Sequence, residues 1–264
     1  MKLIVADLDG TLVLKQETTE KTKTTIHALK EKGYLFTIAT GRHYHAAQPF
    51  VEMFDVQLPV ICSNGAFIYD YQKKEVLHQQ LIDEDVVSRV MQRCDEVEVD
   101  FLVYTTQAIY ATQRAKQKLM SRIGDVKVTV KERHELNLVT SQGVVKVLVI
   151  EDDENKRTLL KSKLDKESTI KYVQSQPAFL DIGHKLSEKG NALKILAQYL
   201  EIPIHEIFAI GDQENDISMI QHAGVGVAMG DGDKALLKVA DFVTKSFHEE
   251  GFSFAIEHII FNQK

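Results

Sequence analysis

The sequence predicts an α/β protein, a parallel sheet domain interrupted by a second, α+β module. Three observations predict it. Continuous short apolar runs at Leu3–Ala6, 35–39, Val60–Cys62, 207–210 and 225–229 lack polar alternation, as strands covered on both faces do. Segments of helical periodicity separate such runs at both ends of the chain, the alternation of a parallel sheet. The middle, residues 81–183, breaks this rhythm with charge-rich helical stretches and further strands.

Taken in order, Leu3–Ala6 is the first strand. Residues 18–32 form a helix carrying Ile26 and Leu29 and stopping at Gly33, a helix-terminating residue. Strands at 35–39 and Val60–Cys62 come next. In the middle module, 83–94 and 153–164 read as helices, with Asp152–Asn155 as a helix start. Residues 101–104 and 109–112 read as a hairpin, and Val144–Ile150 and 170–182 as further strands. Beyond it, 187–200 places Leu193, Leu196, Ala197 and Leu200 on one helical face, with Ser187 as the expected N-cap. The strand 207–210, a helix at 215–223 and the strand 225–229 complete the pattern. The four prolines are expected at element edges.

Composition is that of an ordinary globular protein, with 44% hydrophobic and 27% charged residues. The 264 residues suit one large domain or a domain plus a smaller one. The 32 basic and 38 acidic residues give a net charge of −6, which supplies no general field for nucleic acid or an anionic membrane. Two cysteines imply no disulfide framework. No apolar run approaches the ~18 residues of a membrane span. The N-terminal apolar run is shorter than the ~7–15 residues of a signal-peptide core, so the expected location is the cytoplasm.

The loops at the strand exits carry the chemistry. Asp7-Leu8-Asp9-Gly10-Thr11, Thr40-Gly41-Arg42, Ser63-Asn64-Gly65, Gly211-Asp212-Gln213-Glu214-Asn215-Asp216 and Gly230-Asp231-Gly232 all lie at carboxyl ends of strands. In an open parallel sheet that edge is where ligands bind. Asp7 and Asp9, two apart, point the same way if the strand continues. Crowded carboxylates repel, and a hard divalent cation with oxygen ligands offsets them, as Mg²⁺ does with one or two carboxylates and a phosphate. Asp212 and Asp216 can complete such a site. A calcium loop starting at Asp7 is excluded, because Leu12 and Thr18 stand where Gly and Glu are needed. Lys189 falls in the first turn of a helix, where the macrodipole disfavours a cation. It is either a surface lysine neutralised by Glu188 or the ligand of an anion, to which Thr40 and Gly41 also offer donors.

DLDGTL at 7–12, TGR at 40–42, SEKG at 187–190 and GDQENDISM at 211–219 resemble, in order and strand context, the four motifs of the haloacid dehalogenase superfamily. The long middle insertion and SNGA at 63–66 are similar to its Cof-like branch with a type IIB cap. The resemblance implies a Rossmann-like core of residues 1–80 and 184–264, with the cap at 81–183. It implies a Mg²⁺-dependent phosphatase acting on small phosphorylated metabolites. Asp7 would be the nucleophile that forms an aspartyl-phosphate, and Asp9 the general acid and base. Thr40 and Lys189 would hold the phosphoryl oxygens. Asp7, the Asp9 carbonyl and Asp212 would hold Mg²⁺, with Asn215 and Asp216 orienting or completing that shell. The third motif departs from the usual Ser-Lys-Gly by one extra residue, Glu188. A phosphotransferase or phosphomutase, or a non-catalytic phosphate-binding signalling module, are the alternatives.

Gly41, Arg42 and Asn64 are further substrate-binding candidates. Asn64 is read as a site residue or a turn former, and Arg42 as a substrate ligand or the partner of an acid. His43 and His45, at i and i+2, lack a third metal ligand. Cys62 reads as a buried strand residue. Nucleic acid, membrane and an obligate protein partner are not expected. Specificity is expected to come from the inserted module.

Overall fold

The structure is a computed structural model in which residues 2–261 are described. In chain order the elements are β1 (Leu3–Ala6), α1 (Glu20–Glu31), β2 (Leu35–Ile38), α2 (Tyr44–Met53), β3 (Val60–Cys62), β4 (Phe67–Asp70) and β5 (Glu75–Gln79). Next come α3 (Glu84–Val97), β6 (Asp100–Thr105), β7 (Ile109–Ala111), α4 (Gln113–Ile123), β8 (Thr129–Val130), β9 (Val144–Ile150), α5 (Glu154–Leu164), β10 (Ile170–Gln176) and β11 (Phe179–His184). The chain ends with α6 (Lys189–Tyr199), β12 (Ile207–Gly211), α7 (Ile217–His222), β13 (Val225–Ala228), α8 (Lys234–Val239), β14 (Phe242–Val243) and α9 (Gly251–Ala255). Two compact units result, residues 1–78 with 188–264, and residues 79–187. No helix among the described residues is long and apolar enough to cross a membrane.

The first unit is built on a parallel sheet of order β14-β13-β12-β1-β2. Leu3, Val5, Ile207 and Ala209 pack against Leu193 and Leu196 of α6 and Met219 and Ile220 of α7. Alternate residues Ile4, Ala6, Phe208 and Ile210 face the other way and are equally buried, which is why the runs show no polar alternation. The register pairs Ala6 with Ile210 and with Ile38, so the loops after three strands emerge side by side. The third expected strand differs. β3 touches the parallel sheet through a bridge from Ile61 to Ala39, and it pairs antiparallel with β4 in a small β3-β4-β5 sheet.

The second unit is a six-stranded sheet, β10-β11-β9-β6-β7-β8, antiparallel except for β7–β8. Val86, Val87, Val90 and Met91 of α3 pack on Val147, Val149, Phe101, Val103, Leu180 and Ile182, alternate residues of three strands. The segment expected as one strand over 170–182 is two, reversed through Pro177 and Ala178 between paired Gln176 and Phe179. Helix α4 lies outside the expected elements, because only Ala115 and Leu119 of it are buried and its periodicity is sparse. Asp153 caps α5 by accepting from the Asn155 N–H. On the opposite sheet face, Lys146 and Asp181 form a buried ion pair at 2.5 Å, with Lys146 over the Tyr104 ring at 4.4 Å.

Removing one partner strands the other charge in the interior. Lys146→Ala or Asp181→Ala is therefore expected to lower unfolding stability by about 3–5 kcal/mol. Replacing both by Met and Leu is expected to cost about 1 kcal/mol or less. Urea denaturation of the three variants checks this, and equal losses in single and double variants would contradict it.

Candidate active site

The site assembles at the carboxyl ends of β1, β2, β3 and β12. Asp7 leaves β1 with its N–H donated to the Ile210 carbonyl at 2.8 Å, which aligns it with the exit of β12. Gly10 then reverses the chain at φ +90°, where a Cβ would overlap the Asp212 carboxylate at 2.1 Å. The first and fourth motifs thus meet because Gly10 has no side chain. The Thr11 hydroxyl lies 3.4 Å from Asp212 Oδ1.

Lys189 is the first residue of α6 and is fully buried. Its ammonium donates to Asp7 Oδ1 and to Asp216 Oδ1, the latter at 2.6 Å. The expectation of a surface lysine is thereby excluded. The N-cap is Glu188, and no side chain caps the helix, so the expected Ser187 cap is corrected. The extra residue of the third motif occupies the cap position. Gly190 N–H donates to Ser218 Oγ at 3.0 Å, and a Cβ on Gly190 would lie 2.3 Å from the Ser218 carbonyl oxygen. Gly65, at φ +90°, abuts the Glu188 carbonyl oxygen in the same way, at 2.3 Å. The start of α6 is clamped on both sides, and Lys189 has one place to go. Ser218 escapes the sequence reading, because its role is a close backbone approach that no pattern reveals.

The fourth motif begins as a single 3₁₀ turn, Glu214–Asp216, before α7. Asp216 Oδ2 accepts from the N–H groups of Asp212 at 2.9 Å and Gln213 at 3.0 Å, while Oδ1 takes Lys189. Asp216 thus anchors both Lys189 and the backbone at the start of this loop. Gln213, not singled out from sequence, donates to Asp212 Oδ2 at 3.0 Å. One carboxylate oxygen each of Asp7, Asp212 and Asp216 lies within 4.8 Å of the others. Burial pushes the Asp7 carboxyl up to about 7; Lys189 opposes the rise and Asp216 adds to it. Asp212 is raised well above the usual range, first by burial and then by Asp7 and Asp216. Burial works to lower the Lys189 ammonium, but Asp216 and Asp7 more than offset it and hold it charged.

Thr40 is buried, donates its N–H to the Ile61 carbonyl at 2.8 Å, and its Oγ1 accepts from Arg42 N–H at 3.1 Å. Arg42 is turned onto Asp9 in a bidentate pair, Nε to Oδ2 at 2.8 Å and Nη2 to Oδ1 at 2.7 Å. Gly41 lies against Asn64, whose Oδ1 would be 2.9 Å from a Cβ there. Ser63 and Asn64 both hold left-handed backbone, at φ 50° and 55°, before Gly65. Two such non-glycine residues in succession cost of order 1–3 kcal/mol each and cluster at functional sites. The turn is held by Ser63 N–H to the Arg42 carbonyl and Asn64 N–H to the Thr40 carbonyl. Asn215 Nδ2 donates to Asn64 Oδ1 at 2.9 Å, leaving Asn64 Nδ2 and Asn215 Oδ1 buried without a hydrogen-bond partner among the described residues. His43 is buried as the N-cap of α2, its ring nitrogen accepting from His45 N–H, a structural use of the pair. Cys62 is buried, and burial pushes its thiol up to about 12.

Similarity to known proteins agrees with this geometry. Residues 4–256 match the haloacid dehalogenase-like hydrolase family. The putative phosphatase YxeH of Bacillus subtilis is 30% identical over 266 aligned residues, covering 98% of both chains. The pyridoxal phosphate phosphatase YbhA of Escherichia coli is 28% identical, covering 92% of both. Among solved structures, the subclass IIB sugar phosphatase BT4131 superposes with a TM-score of 0.86 at 25% identity, covering 98% of each chain. With whole-chain matches in sequence and fold, this chain belongs to the haloacid dehalogenase-like hydrolases and is a hydrolytic enzyme that stands among phosphatases.

Proposed function

We propose that the chain is a Mg²⁺-dependent phosphatase that hydrolyses small phosphorylated metabolites through an aspartyl-phosphate at Asp7, working in the cytoplasm. The observation that carries this reading is the buried ammonium of Lys189 bridging Asp7 and Asp216 at the strand ends. Asp7 attacks phosphorus, so that an Asp7 O–P bond forms as the ester P–O bond breaks. Asp9 gives its proton to the departing oxygen. In the second step water attacks the phosphoryl group, the Asp7 O–P bond breaks, and Asp9 takes the water proton back. Lys189 neutralises the phosphoryl oxygens in a site with little water, where its charge has most effect. The Thr40 hydroxyl, its lone pair engaged by Arg42 N–H, can give its own hydrogen to the same oxygens. Asn64 Nδ2 is a second donor, and Asn215 Oδ1 is a buried acceptor that would help orient the shell of a bound cation.

The clustered acids Asp7, Asp212 and Asp216 offer oxygen donors, which suit a hard cation. Asp7, Asp212 and the Asp9 main-chain carbonyl would hold Mg²⁺, while Asp216 keeps Asp212 and Lys189 in place. Bound there, the ion would neutralise charge on the transferred phosphoryl group. Sugar phosphates and pyridoxal phosphate are the proposed substrate classes, by similarity to BT4131 and YbhA. The inserted unit is proposed as the type IIB cap that chooses among them.

Hydrolysis of 4-nitrophenyl phosphate is expected to require Mg²⁺. Asp7→Asn is expected to lower turnover by at least about three orders of magnitude. Full turnover in that variant, or none in wild type, would sink the reading; phosphate delivered to an added alcohol instead of water would make it a phosphotransferase.

Proton and metal compete for Asp7. Its folded carboxyl titrates near 7 against 3.8 unfolded, so between those values the native state holds the extra proton. Metal-free stability should therefore fall as pH rises through this window. Mg²⁺ should raise the melting temperature more at pH 8 than at pH 5. Thermal melts at both pH values, with and without Mg²⁺, check this; an equal or reversed shift contradicts it.

A further inference from the structure

We infer that Arg42 is a positioning residue that holds Asp9 in place for proton transfer at the leaving oxygen, and is not a ligand of the phosphoryl group. The inference rests on the acid–base reading of Asp9. Two parallel N–H···O bonds of 2.8 and 2.7 Å fix the plane and direction of the Asp9 carboxylate as a single bond could not. The guanidinium is held in turn. Its carbon lies 4.5 Å from the centre of the buried Phe50 ring. Its backbone is pinned at both ends, N–H to Thr40 Oγ1 at 3.1 Å and carbonyl to Ser63 N–H at 2.9 Å.

The burial gradient sets the direction of control. The Arg42 side chain is 7% exposed and the Asp9 side chain 29%. The arginine is the fixed support and the carboxylate the more accessible end. The guanidinium commits Nε and Nη2 to Asp9, the two donors that a bidentate grip on a phosphoryl group would otherwise use. To act as the acid Asp9 carries a proton on one oxygen, which gives up its bond to Arg42 and turns to the departing oxygen, while the other oxygen keeps its N–H···O bond to the guanidinium. Without Arg42, the short Asp9 side chain can rotate, and fewer encounters place its proton on the ester oxygen.

The proton matters in proportion to the basicity of the oxygen that leaves. An alkyl alkoxide needs it; a dinitrophenolate departs without it. The test compares glycerol phosphate with 2,4-dinitrophenyl phosphate through kcat/KM, which reports the steps up to phosphoenzyme formation. For Arg42→Lys and Arg42→Met, kcat/KM on glycerol phosphate is expected to fall about 10²-fold, the scale of a general acid. On the dinitrophenyl ester the fall is expected to stay within about threefold, and inhibition by inorganic phosphate to weaken no more than that. Lysine should not rescue, since it has no planar fork. Phe50→Leu, which keeps an apolar core residue, should show the same selective loss in smaller measure. Equal losses on both esters, or a marked weakening of phosphate inhibition, would overturn the inference and make Arg42 a phosphoryl ligand. A wild-type protein that hydrolyses neither ester would overturn the phosphatase reading itself, and this inference with it.

Discussion

A lysine ammonium with no exposed surface organises this molecule. Taking such a charge out of water costs several kcal/mol, and only close, well-oriented carboxylates return that energy. Lys189 finds two, on different segments: Asp7 at the end of β1 and Asp216 beyond β12. β1 and β12 are sheet neighbours in register, so the carboxylates converge by topology. Asp216 is fixed by two backbone N–H groups, and Asp7 by the Ile210 carbonyl, so neither partner can drift. The site is a rigid series running from one strand end through the ammonium to the next.

That series requires α6 to begin at one place, and the strained turn after β3 serves this purpose. Ser63 and Asn64 hold left-handed backbone because the Arg42 and Thr40 carbonyls, respectively, accept their N–H groups. The strain lets Gly65 press against Glu188, where any larger residue would push the helix start and Lys189 outward. Asn64 reaches the other way to Asn215, tying the turn to the fourth motif. The Asn64 donor left unpaired by this amide contact is buried at the strand ends, where a phosphoryl oxygen would accept from it, and the Asn215 acceptor would need a donor such as a water.

The parallel sheet is legible in the sequence because burial on both faces leaves an unmistakable apolar run, and the strand ends because Gly, Asp, Asn and Thr cluster there. Asp7, Asp212 and Asp216 can be grouped from charge and position along the strands, and they do converge; Lys189, in the first turn of a helix, stays open between a surface lysine and an anion ligand, and the structure brings it to them. The antiparallel pairing of β3 cannot be read, since a three-residue run such as Val60–Cys62 carries no sign of its neighbour. Helix α4 is hidden because two buried side chains in three turns leave too faint a period. The expected Ser187 cap falls one residue short because the helix start is set by Gly65 and Ser218, which lie more than 25 residues away in the chain. The partner of Arg42 stays open in the sequence for the same reason: a bidentate pair is a matter of orientation, and spacing cannot select between two acids or an anion.

The net charge of −6 divides into unequal parts. Arg42 and Asp9 cancel one another. Asp7, Asp212 and Asp216 with Lys189 leave two negative charges if all are ionised, in a region nearly closed to water. Burial, with the neighbouring carboxylates adding to it, raises the Asp7 and Asp212 carboxyls, which favours a proton there in the metal-free protein. A divalent cation held there would balance the two charges without a proton. A phosphate ester arrives with negative charge of its own and would be repelled by the bare cluster. The carboxylates that hold Lys189 would also oppose the proposed substrate in the absence of a cation, so the proposed metal dependence would trace to the same buried contact that joins the strand ends.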